Sequence, residues 1–344
     1  MKMRSRAKEP FYKPLTLKTA EGGSVLITVI WTLSILAIFT VAINRQASQE
    51  LLFGQWMRNR ILARSLSKAG IERALAQLQT DKFEAFDAFN ESWSSEEKAF
   101  KDIPLGEGSF SVVCGTRFGA CDEASRININ TADELTLKNL LMLDKGMDDK
   151  KATQIAQSIM DWRDADDAAM PEGAESQHYR AQSRPYEPRN GPFQSMEELL
   201  MVRGMDEKIF DFLKPFITVY TDGKVNLNTA PKEVIRAFGM DDDLAKTLVA
   251  CRLGPDKKEG TKDDEVFQSA DSVTSALSSA VSFSSEEFGQ ISNVIGREVI
   301  TIKSDVFRIQ SIGRLVKGDR IFESTITCVL TREGGILYWK EGEV

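Results

Sequence analysis

Carboxylates crowd one stretch of the chain: Asp161, Asp164, Asp166 and Asp167 are followed by Glu172 and Glu175, with Arg163 the one base among them. Like charges at that density repel unless water or a counterion neutralises them. A hard cation such as Ca²⁺ is held by flexible sets of carboxylate and carbonyl oxygens. The spacing of Asp164 and Asp166 puts two carboxylates within reach of one ion, and Glu175 can return across the turn at Gly173. Those three are the predicted ligands; Asp161 and Asp167 can instead face solvent. The fixed glycine and terminal glutamate of an EF-hand are absent, and an exposed acidic loop accounts for the same residues, so both readings stand. A second acidic group, Asp256 and Glu259 to Glu265, is interleaved with lysines and reads as a solvated loop.

Four cysteines are too few and too scattered for a disulfide scaffold or a zinc ribbon. Cys114 and Cys121 flank a glycine-containing turn and would staple a hairpin in an oxidising compartment; two small semi-buried residues is the equal alternative. Cys251 and Cys328 lie in apolar contexts that read as core. His178 is the single histidine, in a polar loop with no nucleophile arranged around it. The phosphate-cradling, zinc-protease and serine-hydrolase signatures are all missing, so no catalysis is expected. A net charge of −7 and a pI near 5.2 argue against a general nucleic-acid surface.

These groups hang on a chain whose first strong element is a membrane span. Ser24 to Ile43 carries no charge, and as a helix it covers about 30 Å, the hydrocarbon thickness. Lys2, Arg4, Arg6, Lys8, Lys13 and Lys18 precede it, so the positive-inside bias keeps the N-terminus cytoplasmic and the bulk periplasmic. No proline falls between Pro14 and Pro104. Apolar spacing at Leu62, Leu66 and Ala69, then Ile71, Leu75 and Leu78, predicts one helix from Ser24 to about Gln79.

The leader ends in Glu21, Gly22 and Gly23, and the apolar run begins at once. This resembles the type IV prepilin leader, in which a membrane aspartyl peptidase cuts after the glycine and methylates the new amine. Here that would place the cut between Gly23 and Ser24. Glycine suits a scissile position because a chain without Cβ can lie extended in a cleft. Most pilin-like subunits carry glutamate at the fifth mature position, where it meets a neighbour's terminal amine; here that position is Thr28, or Ile27 if the cut follows Gly22. An unpaired buried charge is costly, so the substitution suits a place with no neighbouring amine to neutralise. The K-type minor pseudopilins of type II secretion lack that glutamate, and their tryptophan placement resembles Trp31. The segment with Tyr179, Pro185, Tyr186, Asn190, Gly191 and Pro192 resembles that family's long loop, which implies calcium at Asp164, Asp166 and Glu175.

Gly108 to Cys114 reads as a strand, and strand-like runs return only at Glu298–Ile302, Val306–Ser311 and Ile321–Leu330. A mostly helical block lies between. The predicted fold is α+β: a leader over 1–23, a transmembrane and extended helix over 24–80, a pilin-like head over 81–124 and 298–344, and an all-α insertion over 125–297. Within the insertion, residues 127–132 (Ile-Asn-Ile-Asn-Thr-Ala) recur as 225–230 (Val-Asn-Leu-Asn-Thr-Ala). Thr131 and Thr229 are expected to cap the following helices, with Pro231 in the first turn of the second. Turns at Gly146, Gly204 and Gly239 then resemble helix-hairpin-helix (SAM-like) modules, whose second glycine is replaced here by Asp148, Asp206 and Asp241. A carboxylate there repels phosphate, so no nucleic acid is expected as partner.

The resemblance implies a structural role: a minor pseudopilin at the tip of a periplasmic pseudopilus, joined to I-type and J-type minor pseudopilins, the major pseudopilin and, transiently, the prepilin peptidase at the inner membrane. The rival readings are a DNA-binding or adhesive minor pilin, and a membrane-anchored periplasmic scaffold.

Overall fold

The computed structural model describes residues 22–81, 85–269, 272–273 and 284–343; the expected leader, through residue 21, lies outside the described residues. The chain forms two compact units, one through Arg58 and one from Asn59. Helix α1 (Gly22–Thr80) runs unbroken through both, as the absence of proline predicts. In the first unit its apolar side chains, from Val25 through Ile43, are exposed around the whole helix. Hydroxyls within that run are satisfied by the helix itself: Thr28 donates to the Val25 carbonyl at 2.8 Å and Ser34 to that of Ile30 at 2.7 Å. Such back-bonding is what a polar side chain requires in hydrocarbon.

In the second unit the head begins with the end of α1, the short helix α2 (Glu97–Phe100) and strands β1 (Ile103–Leu105), β2 (Gly108–Cys114), β3 (Arg117–Phe118) and β4 (Cys121–Asp122). The insertion contributes two-residue strands β5 (Ile127–Asn128), β6 (Ile217–Thr218), β7 (Val225–Asn226) and β8 (Ile300–Thr301). The head is completed by β9 (Val306–Lys317), β10 (Arg320–Thr331) and β11 (Ile336–Glu343), giving an antiparallel sheet ordered β1-β2-β9-β10-β11. The strand β11 extends the sheet beyond the sequence expectation. The segment expected at Glu298–Ile302 is a correction: β8 pairs parallel with β7, not with the head sheet, and Ile300 belongs to the insertion's apolar core. The return to the head therefore falls after Thr301, not at 298.

The contact between α1 and the sheet is closer than apolar spacing foretold. Ala63, Ser67, Gly70 and Ala74 form a small-residue stripe beside Leu66, Ile71 and Leu78. A Cβ on Gly313 would lie 2.1 Å from the Ala63 carbonyl oxygen, so helix and β9 touch backbone to backbone. Ser67 sits at that contact, accepting from the Gly313 N–H at 2.9 Å and donating to the Ser324 carbonyl.

Two apolar cores result, one under the head sheet around Trp93, Phe100 and Phe307 and one within the insertion. The seam between head and insertion is polar. The buried Asp122 carboxylate accepts from Ser304 Oγ at 2.7 Å, Asn226 Nδ2 at 3.0 Å and the Thr229 hydroxyl. Burial pushes Asp122 up to about 6, against the pull of these donors. Its neighbour Glu123 is also fully buried, but Arg126 at 3.2 Å and Arg308 at 2.6 Å outweigh the desolvation and hold it below its ordinary value.

Candidate functional site

The insertion is built twice from one plan. In the first copy β5 leads to α3 (Glu134–Leu141) and α4 (Asp149–Arg163), then α5 (Ser176–Arg180), a 3₁₀ turn Met196–Met201 and α6 (Glu207–Leu213), closing with β6 beside β5. The second runs from β7 through α7 (Lys232–Ala237), α8 (Asp242–Arg252) and α9 (Ser285–Gly296) to β8 beside β7. Equivalent residues do equivalent work. Asn130 Nδ2 donates to the Phe193 carbonyl at 3.0 Å while its Oδ1 accepts from the Phe193 N–H at 2.7 Å; Asn228 clamps Phe267 at 3.0 and 2.9 Å. The last helical arginines, Arg163 and Arg252, reach back to the carbonyls of Ile129 and Leu227. The sequence held this longer signal: Phe193-Gln194-Ser195 recurs as Phe267-Gln268-Ser269, and Ile217-Thr218 as Ile300-Thr301.

Thr131 and Thr229 do not cap helices. Their hydroxyls donate to the carbonyls of Asn128 and Asn226, closing the turn after each strand; Asp133 caps α3 instead, accepting from the Thr136 N–H at 2.8 Å, and Pro231 precedes α7 at its N-cap. The three aspartates that stand where a hairpin glycine would be are themselves N-caps. Asp148, Asp206 and Asp241 accept from the N–H groups of Lys151, Ile209 and Leu244 at 2.8 to 2.9 Å. A helix N-terminus recruits phosphate through its free amides; here a carboxylate of the chain occupies them. The duplex-binding reading finds no support in this geometry.

The acidic stretch follows α4. Asp161, in the last turn, and Asp164, the C-cap, share a helix face at i,i+3 spacing, and Glu175 returns to meet them. One carboxylate oxygen from each lies within 4.8 Å of the others. This corrects two expectations. Asp161 is fully buried rather than solvent-facing; Asp166 is exposed, its carboxylate accepting from the Ala168 N–H at 2.8 Å, which turns it away from the trio. Asp167 is exposed as well and accepts from the Ser176 N–H.

Glu175 is 4 % exposed, yet neither of its oxygens finds a donor, nor does Asp164 Oδ1. Burial, then the charges of Asp161, Asp164, Asp167 and Asp166, pushes Glu175 up to about 7. Burial raises Asp161 and Asp164 also. Packing is tight behind them: a Cβ on Gly173 would lie 2.0 Å from Asp161 Oδ2. The wall is aromatic, with Trp162 edge-on to Tyr179 at 5.2 Å between centroids and stacked on Phe193 at 6.3 Å. Asp161 accepts from the Met170 N–H at 3.2 Å, so the oxygens without a donor are those of Glu175 and Oδ1 of Asp164; carboxylates converging in this way are a donor set a hard cation takes.

Among the described residues two other carboxylate groups converge. Asp256, Asp263 and Asp264 do so in the second copy's loop, where backbone N–H groups and Thr261 engage them. Asp81, Asp87 and Glu91 do so in the head, where Arg332 already supplies positive charge. Cys114 and Cys121 are joined in a disulfide; Cys328 is buried and Cys251 partly so. His178 is partly exposed and shares a hydrogen bond with Gln182. Gly23 and Ser24 fall in the first turns of α1.

Fold and site define a class: a chain with an N-terminal helix long and apolar enough to cross a membrane, a mixed helix-and-sheet head and a helical insertion. Residues 124–222 match the family model "Type II secretion system (T2SS), protein K". Type II secretion system protein K of Klebsiella pneumoniae is 25 % identical over 223 residues, 61 % of this chain and 66 % of the relative. The putative type II secretion system protein K of Escherichia coli K12 is 32 % identical over 100 residues, 28 % of this chain and 31 % of the relative. The match thus spans just under two thirds of the Klebsiella protein's length. The crystal structure of the GspK-GspI-GspJ complex from enterotoxigenic E. coli contains a chain of the same fold, with TM-score 0.60 at 18 % identity, covering 87 % of this chain and 100 % of that one. Over these stretches the chain is similar to type II secretion system protein K.

Proposed function

We propose that this chain is a minor pseudopilin of a type II secretion system, set at the pseudopilus tip, where it initiates or caps assembly for export of folded proteins. The observation that carries the reading is one helix doing two jobs. Its first unit is an apolar span with self-satisfied hydroxyls, and its last turns are the core helix of a head. A subunit so built can join a bundle of like helices while its head stands outside the membrane. The bulky insertion and the uncharged Thr28 favour the end of a fibre over its shaft.

On this reading the prepilin peptidase cuts between Gly23 and Ser24 and methylates the new amine, the helix sits in the inner membrane, and everything beyond it is periplasmic. The partners are the I-type and J-type minor pseudopilins, in keeping with the GspK-GspI-GspJ complex of the structural relative, and the major pseudopilin. The duplicated units are helix-hairpin-helix modules retained for protein contact. Asp161, Asp164 and Glu175 would hold calcium, whose charge would offset theirs and tie the end of α4 to the loop that follows; Gly173 leaves Asp161 its room. Coexpression with I-type and J-type partners, followed by affinity capture in detergent, tests the proposal. A stable ternary complex is expected, and capture of the chain alone under conditions that recover the partners separately would sink it.

A further inference from the structure

β2 and β4 are two lengths of one interrupted strand. Val113 pairs with Gln310 and Cys121 with Arg308, positions on the same edge of β9 separated by Ile309 alone. The six residues between Cys114 and Cys121 leave the sheet as a small hairpin, β3 folding back so that Arg117 lies opposite Cys114. The disulfide joins the point of departure to the point of return. Both cysteines are half-buried, within reach of a small dithiol.

The hairpin presents Arg117 to the insertion. Its guanidinium lies over the Phe89 ring at 3.3 Å, and Nη1 is 3.7 Å from Glu259 Oε2. The other oxygen of Glu259 is 3.5 Å from Nη2 of Arg252, whose side chain is 4 % exposed. One carboxylate, on the acidic loop after α8, therefore stands between a guanidinium of the head and one of the insertion. Asp122 and Asp264 add weaker attraction to Arg117. The loop also meets the head at Ser95, which a Cβ on Gly260 would strike at 2.1 Å, and at Asn90, which donates to the Asp264 carbonyl at 3.4 Å. Removing the carboxylate would leave two positive groups facing each other in a poorly solvated gap, which is unfavourable.

We propose that the disulfide-rooted hairpin is a redox-dependent latch: closed, it holds Arg117 on Glu259 and docks the acidic loop of the second repeat on the head; opened, it frees that loop. Opening is a two-electron reduction by a dithiol, which breaks the one S–S bond, leaves two protein thiols and converts the dithiol to its own disulfide. Freed from its root, the hairpin gains conformations that carry Arg117 away from Phe89 and Glu259. The first repeat, anchored through Glu123 to Thr218, stays in place, as does the start of the second, anchored through Asp122 to Asn226 and Thr229.

Hydrogen exchange on the full chain in detergent, with and without dithiothreitol and with thiol content read by mass, tests the latch. Reduction should raise exchange in residues 254–265 about tenfold while leaving 127–163 unchanged. Arg117→Gln should give the same rise with the disulfide intact and make reduction silent in that loop. Glu259→Gln, at a position whose side chain is 41 % exposed, should do likewise. Unchanged exchange in 254–265 after complete reduction would overturn the proposal. So would a rise spread evenly over the head, since the disulfide would then be a general staple.

Discussion

Glu175 concentrates the chemistry of this chain in one side chain: a buried carboxylate with no donor, facing Asp161 and Asp164. An ion held there at a hundred times its Kd adds about 2.7 kcal/mol, roughly 5–10 °C in a domain of this size. Calcium at millimolar concentration should therefore raise the melting temperature by about that much, and a chelator should reverse it. Glu175→Gln should abolish the rise without lowering the metal-free melting temperature, because it removes a repulsive charge. Differential scanning fluorimetry in calcium and in chelator checks both halves. Asp122 makes a different prediction. Its folded pKa, about 6, lies above the ordinary 3.8, so between those values the folded state binds the extra proton and this group stabilises as pH falls. Melting temperature should carry a positive acid-side contribution between pH 7.5 and 5 that Asp122→Asn removes; equal slopes in the two proteins would refute it. At this scale the sequence was partly legible. The acid density was visible, and the carboxylates that converge include the expected Asp164 and Glu175, with Asp161 and not Asp166 as the third. The expectation of Asp166 rested on proximity along the chain, whereas the convergence is set by helix geometry in α4 and by Asp166 accepting from its own backbone.

Among the elements, α1 was readable almost to the residue, since an uncharged apolar run followed by a proline-free periodic stretch leaves a helix little alternative. The strand Gly108–Cys114 was readable too, within its bounds. What was missed or misplaced were elements whose place depends on a partner. β8 is two residues long and owes its place to β7, and β11 begins after a glycine pair and carries Tyr338, Trp339 and Lys340 with no clean alternation. The helix-to-sheet contact was hidden for a related reason: small residues carry no hydrophobic signal, yet only they permit backbone approach. Gly313→Ala drives a methyl into the backbone at Ala63 and Ser67 and should cost about 1–3 kcal/mol or more. By contrast Gly289→Ala, in α9 with nothing within 4 Å of its Cβ, should gain about 0.5–1 kcal/mol from helix propensity. Denaturant titration of the two variants reads the contrast directly, and a neutral Gly313→Ala would mean the contact is looser than described.

For the whole molecule, the two-core construction separates tasks: the head sheet seats α1, while the duplicated insertion keeps its own core and meets the head through a polar seam. Such a body can enlarge the end of a fibre without altering how its helix enters the bundle. On the proposed function the helix decides where the body sits, with Thr28 the residue on which that decision turns. Its hydroxyl is satisfied by the Val25 carbonyl, so a processed chain brings no carboxylate to an apolar bundle and offers nothing to a following subunit's amine. Introducing that carboxylate, Thr28→Glu, should leave cleavage intact, with Edman sequencing still reading Ser-Val-Leu-Ile. It should also raise the number of copies incorporated per fibre, since each copy could now accept a neighbour. Quantitative mass spectrometry of sheared fibres measures the ratio to the major subunit. A ratio unchanged in a correctly processed variant would remove Thr28 from the account and leave the bulk of the insertion alone to keep this subunit at the end.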